Sequence, residues 1–312
     1  MKRIFALAAA AVLAVCAVPA SAYAEGDFDG HTAVVDGVTY TYTIEDSEPA
    51  GITIMSATPA EGALTIPDEI DGHTVIGIGE KAFLGQTKLE FVYFPSKLEY
   101  IDRSAFSACT AMTQLVIPDS VQFIKDSAFM GCYSLTSVSV GKGVTEIPYE
   151  CFFGCGSLNE AYLPDGLKTI GAEAFFDCPE LDTLIPESVT DIGYSAIGYQ
   201  SDAHSSYTTK INGFIIGGKT GSAAETYANK NSFDFLDPDN YLAGDVNKDG
   251  RVDAKDASAV LAEYGRASTG VELLFSPWQK IVGDMKPDKV IDANDASKIL
   301  IEYARLSTLS DT

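Results

Sequence analysis

The residues best placed to do chemistry lie near the C-terminus. In "GDVNKDGRVDAKDASAVLAEY" from Gly244, Asp245, Asn247, Asp249, Gly250, Arg251, Asp253 and Asp256 occupy positions 1, 3, 5, 6, 7, 9 and 12 of a twelve-residue calcium loop. Calcium binds hard oxygens in clusters. The acidic and amide side chains supply them here, Arg251 offers its main-chain carbonyl, and Gly250 permits the sharp turn. A second copy, "GDMKPDKVIDANDASKILIEY", begins 39 residues later at Gly283. Asp284, Asp288, Asp292 and Asp295, with the carbonyl of Val290, repeat most of the pattern. Lys286 and Lys289 stand at positions 3 and 6, so the expectation is two calcium sites with the second weaker.

Other chemistry has little to work with. His31, His73 and His204 are the only histidines, and none belongs to a His-Glu-x-x-His motif. No Gly-x-Ser-x-Gly elbow accompanies them. Cys109, Cys132, Cys155 and Cys178 recur every 23 residues rather than in a compact Cys-x-x-Cys cluster. That spacing reads as a ladder of small inward side chains, reduced and buried or else joined by disulfides between adjacent coils, with Cys151 in another inward slot. The net charge of -23 disfavours a general electrostatic grip on nucleic acid or anionic lipid.

The elements that must carry these residues follow from periodicity. Phe83, Phe106, Phe129, Phe152 and Phe175 lie 23 residues apart, as do Ile78, Ile101, Ile124, Ile147 and Ile170, and Leu89, Met112, Leu135, Leu158 and Leu181. Pro95, Pro118, Pro164 and Pro186 follow a short alternating stretch in four units, with Gly141 replacing the proline in another. Alternation marks a strand. A strand of about four residues cannot bury its apolar face alone, so the units must stack into a solenoid of parallel strands. The alternation turns Val92, Leu115 and Val138 inward and Phe91, Tyr93, Val116, Glu160 and Tyr162 outward, a candidate ligand face. Beyond the repeats, Ser222 and Glu225 read as a capping pair opening a helix that leaves through a left-handed Asn231. Ala257, Val260, Leu261 and Tyr264, mirrored by Ala296, Ile299, Leu300 and Tyr303, put one amphipathic helix after each acidic loop.

Lys2 and Arg3, fifteen apolar residues from Ile4 to Val18, and small residues at Ala22 and Ala24 read as a secretory signal peptide over residues 1–24. Its removal takes the net charge from -23 to -25. No other segment is apolar and long enough to span a bilayer.

The repeat units resemble BspA-type leucine-rich repeats, most clearly in "YLPDGLKTIGAEAFFDC" from Tyr162. "VVDGVTYTYTI" from Val34 is similar to that family's opening hairpin, and "GSAAETYANKNSFDF" from Gly221 to its closing helix and strand. The duplicated loop-helix units, which lack a helix before the first loop, resemble a dockerin. The expected organisation is a signal peptide (1–24), an N-terminal cap hairpin (25–62), a mainly β solenoid of leucine-rich repeats with its C-terminal cap (63–236), and a small all-α calcium-binding dockerin (242–308).

The dockerin resemblance implies binding to a cohesin module of a scaffoldin through Ala257, Ser258, Leu261, Ala296, Ser297 and Lys298, within a secreted, cell-surface, cellulosome-like complex. It leaves the repeat region as a non-catalytic binder of protein or polysaccharide. The resemblances also admit a polysaccharide-active enzyme, a glycoside hydrolase or lyase carried by the dockerin, or an adhesin.

Overall fold

The structure, a computed structural model, describes residues 30–45, 51–202, 208–237, 242–247, 251–269, 282–285 and 290–309. The signal-peptide reading therefore lies outside the described residues, as do Asp249, Asp288, Lys286 and Lys289. The chain divides into two compact units, Met1–Ile211 with Ser222–Ala224, and Asn212–Gly221 with Glu225–Thr312.

The first unit opens with an antiparallel hairpin, His31–Val35 paired with Val38–Glu45, joined by Gly51–Thr58. Gly51–Thr58 then pairs in parallel with His73–Ile78, which starts the stacking. From there each coil adds a rung to two ladders of parallel strands. The first ladder runs through Gly62–Thr65 and Leu89–Tyr93, then Gln114–Val116, Ser137–Ser139 and Glu160–Tyr162. Alternation places Val92, Leu115 and Val138 in the core. The second ladder joins His73–Ile78 to Tyr100–Ile101 and Phe123–Ile124, and continues as Glu146–Ile147, Thr169–Ile170 and Asp191–Ile192. Between the ladders the proline column opens a turn, closed by bonds such as Leu98 N–H to Pro95 C=O at 3.2 Å and Leu167 N–H to Pro164 C=O at 3.0 Å. Gly141 replaces proline where any Cβ would collide with the Pro118 carbonyl.

The Ala-Phe corner has its own backbone solution. Lys81, Phe83 and Gly85 N–H donate to Arg103, Ala105 and Ser107 C=O of the next coil, while Ala82, Leu84 and Gln86 N–H close local turns onto Gly79, Lys81 and Phe83 C=O. Every buried amide there is paired without a strand. The phenylalanine rings stack at 4.7–5.5 Å with interplanar angles of 4–12° from Phe83 to Phe175. All five are fully buried.

In the second unit, Ile215–Gly217 pairs in parallel with Asp234–Leu236. Helix α1 spans Ala223–Asn231, α2 Ala254–Thr269 and α3 Ala293–Leu309. Glu225 reaches back past the expected N-cap residue, accepting from Gly221 N–H at 2.6 Å. The left-handed residue after α1 is Ser232 (φ 55°) rather than Asn231, which stays helical and donates from Nδ2 to Tyr227 C=O. Among the described residues, no helix is long and apolar enough to cross a membrane.

Candidate functional site

Three sets of side chains bear on function: the cysteine column, the outward face of the first ladder, and the paired acidic loops. Among the described residues, the five cysteines Cys109, Cys132, Cys151, Cys155 and Cys178 are free and buried. The column does more than fill space. Cys109, Cys132, Cys155 and Cys178 each donate S–H to a phenylalanine carbonyl of the preceding coil, Phe83, Phe106, Phe129 and Phe152, at 3.2–3.4 Å. Burial pushes these thiols up, Cys132 to about 12. A thiol that stays protonated is a poor nucleophile and metal ligand, so the column is structural.

On the first ladder, Tyr93, Val116 and Tyr162 are 56%, 54% and 60% exposed, and Phe91 and Glu160 are partly exposed. The strand register aligns Val116, Ser139 and Tyr162 in one column. The Phe91 and Tyr93 rings meet at 4.6 Å, and the Tyr162 hydroxyl donates to Glu160 Oε2 at 2.9 Å. The described outward positions, Ala63, Thr65, Phe91, Tyr93, Gln114, Val116, Ser137, Ser139, Glu160 and Tyr162, include no lysine or arginine. The face is thus aromatic and hydroxyl-rich, with its charge confined to carboxylate.

In their described parts the two acidic loops share two bonds at matching positions. Asp253 accepts from Lys255 N–H at 2.7 Å and Asp292 from Asn294 N–H at 2.6 Å, so each caps its helix. Asp256 and Asp295 answer by accepting from Asp253 and Asp292 N–H, both at 2.9 Å. Loop positions 9 and 12 are therefore reciprocal helix caps, a role the Asp-x-x-Asp spacing carries and the calcium pattern obscured. Caps are usually exposed, whereas Asp256 and Asp295 are fully buried and Asp245 is 6% exposed. Burial raises the Asp256 carboxyl, its bonds from Asp253 and Asn247 N–H oppose that, and Asp245 and Asp253 add like-charge repulsion. Asn247 and Arg251 lie in the first loop's described part, and Asp284 and Val290 flank the undescribed centre of the second. Among the described residues, no three histidine, cysteine, aspartate or glutamate side chains form a group able to hold a metal.

Ala257, Val260, Ala296 and Ile299 pack with Val246, Val252 and Val282 into the core of this unit. Ala257 and Ala296 were expected among the partner contacts but are 2% and 1% exposed, because their helical faces meet each other. Ser258, Leu261, Ser297 and Lys298 are the exposed members of that set, with Tyr264, Leu300 and Tyr303 exposed alongside.

The family model for the BspA type leucine-rich repeat region matches residues 76–203 in six copies. These residues form a BspA type leucine-rich repeat region. The BspA type repeats show similarity to solved structures. A leucine-rich repeat protein of T. pallidum is 30% identical, over 49% of this chain and 78% of that one, at a TM-score of 0.45. A leucine rich cell surface protein of Faecalibacterium prausnitzii A2-165 is 22% identical over 58% and 61%, at 0.40. A leucine-rich repeat protein of Eubacterium ventriosum is 23% identical over 55% and 50%, at 0.42. No curated protein matches.

Proposed function

We propose that this is a secreted binding protein in which the BspA type repeats receive a protein or polysaccharide ligand on the outward face of the first ladder, and the C-terminal unit acts as a dockerin-type module that needs calcium to hold a cohesin. The observation that carries the reading is the duplication in the second unit. Two loops repeat the same capping bonds at the same positions. Each leads into a helix that buries one alanine and presents serine, leucine and tyrosine outward at matching places. A calcium ion would draw on Asp245, Asn247, Asp249, Asp253, Asp256 and the Arg251 carbonyl in the first loop. In the second it would draw on Asp284, Asp288, Asp292, Asp295 and the Val290 carbonyl. It would supply the charge that the buried carboxylates lack and fix the loops against their helices.

A partner would then meet Ser258, Leu261, Ser297 and Lys298. The test is capture of the full chain on immobilised cohesin modules in calcium and in chelator, with Asp245→Ala and Asp284→Ala variants. Calcium-dependent capture, reduced more by the first variant, is expected, and capture undiminished by chelator would overturn the coupling. For the repeats, Tyr93→Ala with Tyr162→Ala is expected to abolish binding of whichever protein or glycan the full chain retains. Release of reducing sugars from that glycan would assign the repeats catalysis instead.

A further inference from the structure

A second feature of the repeat region lies away from the first ladder, at the Ala-Phe corner of the later coils. Inter-coil bonds from Ser104, Ser127, Glu150 and Glu173 N–H to Asp126, Tyr149, Ala172 and Tyr194 C=O define one column of side chains, Arg103, Asp126, Tyr149, Ala172 and Tyr194. The donors form the neighbouring column, Ser104, Ser127, Glu150 and Glu173, continued by Ser195. In the early coils the columns are self-satisfied. Arg103 Nη2 sits 3.4 Å from Asp126 Oδ2, and Ser127 Oγ donates to Glu150 Oε2 at 3.0 Å.

Among the described residues the later coils hold their carboxylates without such a cation, Glu150 accepting from the Ser127 and Tyr149 hydroxyls instead. Tyr149 and Tyr194 are 44% and 72% exposed and have only the small Ala172 between them. Glu150 and Glu173 sit side by side on adjacent coils, and among the described residues neither has a lysine or arginine partner. Their repulsion, after burial, raises the Glu173 carboxyl, and the Tyr149 phenol, bonded to Glu150, is pushed up to about 12. Ser195, the next residue of that column, is 2% exposed, and its Oγ meets no hydrogen-bond partner among the described residues.

We infer that this column is a receptor for one arginine side chain of a protein partner, seated over Ala172 between Tyr149 and Tyr194 with Glu150 and Glu173 as its counter-charges. One coil step at this corner is 5.3–5.5 Å, as the adjacent phenylalanine rings record. A guanidinium level with Ala172 is thus one step from the backbone position of each tyrosine, so either exposed ring need only lean toward it to come within the ~6 Å range of cation–π attraction. Two carboxylates present more acceptors than one ammonium needs and match the planar fork of guanidinium. Arg103 beside Asp126 shows a guanidinium meeting a carboxylate across one coil step of this same column. The proposal rests on the protein-binding reading of the repeats and adds a second, charge-selective contact to it.

The experiment uses the full chain with fluorotyrosine incorporated, the Tyr149 and Tyr194 signals being assigned with Tyr149→Phe and Tyr194→Phe. The probe is N-acetyl-arginine N-methylamide, with the uncharged citrulline analogue as control. Both signals are expected to shift saturably with a Kd on the order of 10 mM, and the citrulline compound to move neither. Glu150→Gln with Glu173→Gln should weaken binding by about fivefold or more, while Glu146→Gln with Asp191→Asn, which removes the same charge from the second ladder, should change it less than about twofold. Should the glutamine pair fail to fold, Tyr194→Ala serves the same comparison. Signals unmoved by arginine, or equal weakening by both charge-removing pairs, would overturn the inference. The probe is an amino-acid derivative, so failure to find any protein partner would sink the reading of the repeats while leaving this site standing. Failure of the site would leave the first-ladder face untouched.

Discussion

The repeat region and the C-terminal unit solve the problem of a core in opposite ways. Among the described residues, every buried carboxylate, Asp237, Asp245, Asp256, Glu263 and Asp295, belongs to the second unit. The repeat region buries phenylalanine, leucine, isoleucine and neutral thiols, and keeps its acids outside. A core of that kind is indifferent to ions. A small core that encloses carboxylates must satisfy them with backbone bonds, with a cation, or with both. Redundancy separates the two as well. A coil in the middle of the solenoid is covered on both sides, whereas the C-terminal unit has two copies of its building block and nothing to average over.

The largest effect should come from the stacked rings. Phe129 lies between Phe106 and Phe152 with its ring fully buried. Phe129→Ala is expected to cost about 3–5 kcal/mol in urea unfolding, since coils on either side cannot collapse into the gap without breaking their own ladders. This transition should be the same in calcium and in chelator. A calcium-dependent midpoint would break the contrast between the units.

Next in size is the calcium response of the second unit. At a hundredfold excess over Kd, the ion should stabilise this unit by about 3 kcal/mol. Circular dichroism in the helix band follows its melting, through α2 and α3. Asp256→Asn should remove most of the shift. A wild-type melt unaffected by chelator would mean that backbone bonds alone keep these carboxylates content.

The thiol ladder comes third. Cys132→Ala loses a sulfur and a buried donor to the Phe106 carbonyl and should cost about 1–2 kcal/mol. Cys109, Cys132, Cys151, Cys155 and Cys178 should ignore a thiol reagent in the native state and all react in denaturant without reductant. Failure to react under those conditions would show them paired.

How legible each region was follows from the same contrast. The 23-residue period exposed the inward columns because six copies repeat the same physical demand at phenylalanine, isoleucine and leucine positions. The second ladder showed as its isoleucine column but not as strands, because strands of two residues, such as Tyr100–Ile101, are too short to show alternation. The phenylalanine column marks the corner, but no residue type announces how it is bonded, with alternate N–H groups crossing to the next coil. In the C-terminal unit the acidic spacing was plain, but the burial of Ala257 and Ala296 was not. The apolar stripe of each helix is wider than the face that packs, so Val260 is buried while Leu261 and Tyr264 remain exposed. Spacing alone does not say which half meets the other helix.

The smallest effects sharpen the contrast from within the solenoid, where one column admits several residue types. Gly85, Gly131 and Gly154 take a left-handed backbone, and Ala108 (φ 58°) and Asp177 (φ 56°) take it without glycine's freedom. The two departures should respond differently to Gly. Ala108→Gly relieves about 1–2 kcal/mol of left-handed strain. It gives up about 0.8 kcal/mol of buried methyl and a further 0.4–1 kcal/mol to the freer unfolded chain, leaving a change within about 0.5 kcal/mol of zero. Asp177 has a second occupation, because its carboxylate accepts from both Ser201 N–H and Ser201 Oγ at 2.7 Å. Asp177→Gly gains the same relief but loses two hydrogen bonds, each worth about 0.5–1.5 kcal/mol, along with the entropy term, for a net cost of about 1 kcal/mol. Urea midpoints of the two variants decide between strain and bonding as the determinant of this column: equal shifts would mean that the Ser201 contacts contribute nothing and that backbone conformation alone sets the choice of residue.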